Sequence, residues 1–250
     1  MRRNSPPYAS SISFSPGPIS TALKLLIAAN VAAFIVQLFV PAITNVMGLQ
    51  PKLVLHQFWL WQLGTYMFMH DPTGFFHILF NMLALWMFGA QLERVWGTRY
   101  FLKFYFVTGV GAGVLTVLFS LLPFGFAQQL QDANIIGASG AIFGLLLAFA
   151  LYFPDQPILL IVFWVPAKWC VTILGAIALI SLRGGSGGVA NATHLFGLLV
   201  GYLYLQGGRG GWTAEIKYRY LKWKMNRMRR KFDVYSGGRS ERSDWDRHVH

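Results

Sequence analysis

The sequence predicts an all-α, polytopic membrane protein: six transmembrane helices in a compact bundle, with an interfacial first loop. Three observations carry that prediction. Hydrophobic residues make up 55% of the chain and charged residues only 12%. Several apolar runs approach or exceed the roughly 17 residues needed to cross about 30 Å of hydrocarbon. The charge is also concentrated: of 21 Lys and Arg, 12 lie between Arg209 and Arg247 with five of the nine acidic residues, so the net +12 describes mainly a tail.

Residues 1–20, rich in Ser and Pro behind Arg2 and Arg3, are too polar to span and lack a signal-peptide cleavage pattern, so they read as a flexible tail. Thr21 to Val40 is the first span, with Lys24 near enough to its end to snorkel. Between residues 41 and 74, Pro41, Pro51 and Pro72 interrupt the chain, and Phe58, Trp59, Trp61, Tyr66 and Phe68 supply interfacial aromatics; this is a loop lying in the membrane interface. Phe75 to Gln91 is the second span, carrying His77 and Asn81. Tyr100 to Leu122 is the third, loosened by Gly109, Gly111 and Gly113, and a lysine-free polar connection, Pro123 to Asn134, leads to the fourth, Gly137 to Phe153. Pro154-Asp155-Gln156-Pro157 ends that helix. Ile158 to Val165, flanked by prolines, is expected as an extended or partly inserted segment before a fifth span from about Ala167 to Leu182. A glycine-rich link, Arg183 to Gly188, precedes the sixth, Val189 to Leu205. The domain organisation is thus a tail over 1–20, a membrane-embedded domain over 21–206 and a basic tail over 207–250.

Six spans put both termini on one side, and the positive-inside bias selects the cytoplasm: 19 basic residues fall inside against Lys52 and Arg183 outside. Within the C-terminal tail, Trp212 to Phe232 interleaves aromatic and basic residues, a surface helix suited to anionic lipid head groups. Nucleic-acid binding is the competing reading of such a stretch, but a segment a few residues from a span meets lipid first. Residues from Ser236 onward are expected to be disordered. The single cysteine, Cys170, excludes an intrachain disulfide.

Gly137-Ala138-Ser139-Gly140-Ala141-Ile142-Phe143-Gly144 sets one hydroxyl among small residues, and His194 sits in a similar frame with Gly197 and Gly201. One reading is packing alone: two small-xxx-small faces with serine and histidine as polar glue. The other is catalytic. His77 and Asn81, four apart, share a helix face, and neither is stable in hydrocarbon without a polar partner or water. A serine, two histidines and an asparagine therefore converge at one extracytoplasmic depth. His194 could activate Ser139 as a base, and His77, Asn81 and backbone N–H groups could stabilise an oxyanion. Acidic residues are absent from all six expected spans, so any catalysis would use a dyad, with the Ser139 hydroxyl and a ring nitrogen of His194 within hydrogen-bond reach.

At these residues the chain resembles the rhomboid family of intramembrane serine proteases, in its compact six-span prokaryotic form. Three motifs over roughly residues 50 to 205 carry the resemblance: His77-Ile78-Leu79-Phe80-Asn81, Gly137-Ala138-Ser139-Gly140, and His194 with Gly197 and Gly201. The resemblance implies Ser139 as nucleophile, His194 as base, His77 and Asn81 with the Ser139 N–H as oxyanion stabilisers, Phe143 as support for the catalytic histidine, and Glu93 with Gly97 at the exit of the second span. It also implies single-span membrane proteins as substrates, a prokaryotic inner membrane, and neither cofactor nor metal. In the first loop, Trp61-Gln62 stands where some relatives have Trp-Arg, so anchoring by arginine cannot be assumed. Two other classes compete: a catalytically inactive relative that binds membrane clients, and a transporter or channel, disfavoured because no span holds an acidic residue and no internal repeat is visible.

Overall fold

The computed structural model describes residues 19–160, 163–183 and 186–208. Nearly all of the expected N-terminal tail, and the whole basic-aromatic helix of the C-terminal tail with its lipid contact, lie outside the described residues. Met1–Leu205 forms one compact unit; of the second, Gln206–His250, only the first three residues are described.

Helix α1 (Thr21–Phe39) starts where the Ser20 hydroxyl accepts the Leu23 N–H at 3.1 Å, a side-chain cap for an otherwise orphaned donor. Three short helices follow, α2 (Ile43–Met47), α3 (Pro51–Gln57) and α4 (Gln62–Thr65), and a 3₁₀ turn over Tyr66–Phe68. The expected interfacial loop is therefore substantially helical. Pro51 does not interrupt this region but begins α3, where its missing N–H costs nothing.

Helices α5 (Phe75–Trp96) and α6 (Thr98–Phe119) join through Gly97 at φ +75°, a left-handed turn that lets one long helix end and the next begin at once. Because α5 runs five residues past its expected end, it includes Glu93, which corrects the expectation that no span holds an acidic residue. Glu93 is buried and accepts the hydroxyls of Ser20 and Thr98. It stands sixteen residues from His77, about 24 Å along the axis, so it cannot join that histidine's neighbourhood.

The connection after α6 contains α7 (Gly125–Gln131). Helix α8 (Ser139–Tyr152) is apolar throughout and buried on nearly every side, packed by α5, α6 and α9 (Ala167–Ile180). Between α8 and α9 the described residues of the proline-flanked segment are extended, as expected, but as an antiparallel pair of strands, β1 (Pro157–Leu160) and β2 (Phe163–Pro166), with Pro157 opposite Pro166. The fold is mostly helical, not all-α. A 3₁₀ turn over Ser181–Arg183 follows α9, and α10 (Ser186–Gly208) is the last described element.

Among the described residues, four helical stretches are long and apolar enough to cross a bilayer: α1, α5, α6 and Gly188–Gly207 of α10. The remaining two expected spans, α8 and α9, have 14 residues each. At 1.5 Å per residue each covers about 21 Å, short of a 30 Å core. Length therefore supports four spans directly, with two shorter apolar helices where the other two are expected. The core lies where α5, α6 and α8 meet and includes Leu85, Phe101, Phe104, Tyr105, Leu145 and Phe149, while α1 presents Leu25, Ile35 and Phe39 outward.

Candidate active site

The approach to Ser139 is fixed from outside its own helix. Leu49 and Ile135 exchange backbone hydrogen bonds at 2.8 Å, and the Gly137 N–H donates to the Tyr66 carbonyl at 3.0 Å. Gly137 then turns at φ +118°, a conformation open to glycine. Two residues later α8 begins with Ser139 itself. Its N–H is one of the amides at a helix start that have no acceptor within the helix and carry the positive end of the helix dipole.

Helix α10 reaches α8 through glycine. A Cβ at Gly197 would run into the Gly140 carbonyl, and one at Gly201 would lie 3.1 Å from the Gly144 Cα, so the backbones touch with nothing between them. On its other side Gly144 is pressed by Thr108, whose Cβ lies 2.9 Å from the position a Gly144 Cβ would take. A Thr116–Thr193 hydroxyl contact at 3.0 Å ties α10 to α6 just before His194. At this separation His194 Nε2 lies 2.7 Å from Ser139 Oγ. The imidazole lies flat on the Phe143 ring, centroids 4.3 Å apart and planes 7° from parallel.

His77 and Asn81 face the same space from α5. The Asp71 N–H donates to His77 Nδ1 at 3.2 Å, which in a neutral ring leaves the proton on Nε2. That nitrogen points toward the serine turn, 3.0 Å from where a Gly137 Cβ would stand. Asn81 gives an amide hydrogen to the His77 carbonyl at 2.7 Å, and its buried Oδ1 has no partner. Ser139, His194, His77 and Asn81 line one cavity of about 420 Å³, with Asp71 and Asn134 as further polar walls. Its lining carboxylate, Asp71, reaches His77 through its backbone and not His194. The arrangement can therefore transfer a proton between serine and imidazole and offer N–H donors to a developing negative charge.

Sequence reasoning assigns no role in the site to several residues that build it. Tyr66, fully buried, donates its hydroxyl to the Gly109 carbonyl at 2.7 Å while its own carbonyl holds Gly137. His70 is buried against His77, ring centroids 5.2 Å apart, and both its backbone groups are held by the Gln37 amide at 2.9 Å. Burial, reinforced by the neighbouring His77, pushes the His70 imidazole down to about 4, so it is neutral at physiological pH. Gln62, in place of the arginine of some relatives, is also fully buried: it accepts the Gln50 N–H at 3.0 Å and donates to the Val46 carbonyl at 3.2 Å. A neutral amide thus anchors the first loop. The histidines at 70 and 77 lie close enough in sequence, on either side of Pro72, to be paired by spacing, whereas Gln37 is 33 residues from His70 and is not.

Comparison with known proteins adds the lineage. A Rhomboid domain model matches residues 57–208, more than half of the chain and all six polar residues of the cavity named above. Rhomboid protein 1, mitochondrial, of Saccharomyces cerevisiae is 38% identical over 134 residues, 52% of this chain and 37% of the yeast protein. RHOMBOID-like protein 2 of Arabidopsis thaliana is 30% identical over 192 residues, 75% of this chain and 54% of the plant protein. Rhomboid protease AarA of Providencia stuartii is 28% identical over 153 residues, 57% of this chain and 54% of the bacterial protein. The chain spans between 37% and 54% of the length of these relatives. The extent of the domain match, together with apolar helices of spanning length, makes the chain a multi-pass membrane protein of the rhomboid family.

Proposed function

We propose that this protein is an intramembrane serine endopeptidase that cuts single-span membrane proteins near the extracytoplasmic end of their helix, with Ser139 as nucleophile and His194 as general base. The observation that carries the reading is the 2.7 Å contact between His194 Nε2 and Ser139 Oγ, a distance at which a proton can pass. Ser139 Oγ attacks the scissile carbonyl carbon while His194 Nε2 accepts the hydroxyl proton. The oxyanion is met by the His77 Nε2–H, the Ser139 N–H and the Asn81 amide. Collapse breaks the C–N bond, and His194 returns its proton to the leaving amine. Water, with His194 again as base, then hydrolyses the acyl-serine ester.

No carboxylate orients His194 in this scheme. Stacking on Phe143, worth about 0.5–1.5 kcal/mol beyond area burial, holds the ring in its place. A carbonyl engaged within a helix is closed to attack, so substrates are segments whose helix unwinds near the cavity, where water also enters. Nineteen basic residues against Lys52 and Arg183 support cytoplasmic termini; the membrane we propose is a prokaryotic inner membrane.

The test is incubation of the purified protein with a panel of membrane-helix substrates, beside fluorophosphonate labelling. The expected result is cleavage and labelling by wild type and neither by Ser139→Ala. A folded wild-type protein that neither cleaves nor labels would refute the protease reading and leave a client-binding, inactive rhomboid.

A further inference from the structure

The cavity around Ser139 is lined by neutral polar and apolar side chains, with Asp71 as the exception. Asp71 lies between His70 and α5, where its backbone N–H grips His77 Nδ1. Its Oδ1 accepts both the N–H and the hydroxyl of Thr73, at 2.9 and 2.7 Å. These two bonds hold the carboxyl below the usual carboxylate range, so it is ionised at neutral pH. Among the described residues no lysine or arginine pairs with it: Lys52 pairs with Asp132 at 3.1 Å and Lys168 with Asp155 at 2.7 Å. Asp71 is half-buried and lines the cavity, its Oδ2 lies on the Gly74 side of the turn, 3.1 Å from where a Gly74 Cβ would stand, and no lysine or arginine among the described residues pairs with the carboxylate.

We propose that Asp71 is a substrate-binding residue that favours membrane-protein substrates carrying a lysine or arginine beside the scissile bond. The inference deepens the protease reading and rests on it. A peptide whose carbonyl sits between Ser139 and His77 must run past the residue that grips His77, which brings flanking side chains within reach of the carboxylate. A long basic side chain meets it with a charge-assisted hydrogen bond. An acidic one is repelled, and a neutral one gains nothing. Partly exposed ion pairs are weak, so the selectivity expected is about fivefold.

The full-length protein is tested on one single-span substrate prepared with Arg, Gln or Glu at each of the positions flanking its cleavage site. In wild type, kcat/KM is expected to be about fivefold higher for Arg than for Gln at one or more positions, lower again for Glu, and to converge as salt is raised. Asp71→Asn, which keeps the Thr73 turn, is expected to bring the three ratios near one, and Asp71→Lys to reverse them, with thermal unfolding confirming that both variants fold. Equal kcat/KM for all three versions in wild type, or an Arg preference that survives in Asp71→Asn, would overturn the assignment. Failure of the underlying protease reading looks different: wild type would cleave no version faster than Ser139→Ala.

Discussion

Alanine in place of Gly197 sets a methyl group against the Gly140 carbonyl, closer than any non-bonded carbon and oxygen can approach. The obstacle is backbone on a fully packed helix, so no side chain can swing aside. To restore ordinary contact α8 and α10 must separate by about 1 Å. Gly140 adjoins Ser139, and Gly197 follows His194 by less than a turn, so that separation passes almost undiminished to the pair, stretching 2.7 Å to beyond hydrogen-bond range. Loss of a positioned general base costs about 10²–10⁴ in rate. Gly197→Ala is therefore expected to lower kcat at least about a hundredfold, with a stability loss of about 1–3 kcal/mol from overpacking. Gly201→Ala is the control one turn on: its methyl would lie 3.1 Å from the Gly144 Cα, a misfit of a few tenths of an ångström, and its rate should fall by less than about tenfold. Initial rates in detergent on one substrate, with thermal unfolding of each variant to equalise the folded fraction, make the comparison. A Gly197→Ala protein that cleaves at the wild-type rate would refute the argument that helix contact sets the serine–histidine distance.

Three further outcomes are expected. His77→Ala and Asn81→Ala each lower turnover by about ten- to a thousandfold without abolishing it, because several donors share the oxyanion; unchanged rates in both would remove them from the mechanism. Gln62→Leu leaves the Gln50 N–H without its acceptor, while the Val46 carbonyl keeps the Trp61 indole N–H, and should cost about 1–3 kcal/mol, read as a lower midpoint in chemical unfolding. His70 gives stability a pH dependence. Its folded value of about 4 lies below the ordinary 6.5, so the unfolded chain binds the proton first, and stability is full above about 6.5 and declines as pH falls toward 4, by up to about 3 kcal/mol. In His70→Phe the slope of stability against pH over that interval should flatten, and an unaltered slope would show that other groups cause it.

What could be read from the sequence was what repeats locally. Apolar runs located α1, α5, α6 and α10 to within a few residues at most ends, and the glycines around Ser139 and His194 marked two backbones able to meet. What escaped was held by distant partners. The first loop reads as irregular because α2, α3 and α4 are too short to be stable alone; their order comes from Gln62, Thr65 and Trp61 bonding back to carbonyls 15 to 18 residues earlier. Glu93 seemed to lie outside a span because a charge ordinarily ends one, yet hydroxyls from α6 and from the cap of α1 satisfy it inside α5. The strand pair was visible only as a proline-bounded apolar run, since periodicity alone cannot separate a short buried strand from a short helix.

The distance along the chain between Ser139 and His194 bears on how the protein is made. Ser139 leaves the ribosome 55 residues ahead of His194. At about 5–20 residues per second, several seconds pass in which α8 is in place and α10 is still being synthesised. Throughout that interval the glycine face of α8 has no covering helix and the serine no base, so the nascent chain carries an inert hydroxyl. On the proposed mechanism, competence arrives only when α10 docks, in the same event that seals the Gly140 and Gly144 surface. A chain released before α10 is complete would thus be left with an unsealed glycine face, open to misassembly and to quality control, and, if Ser139 and His194 act as proposed, without the base that cleavage needs.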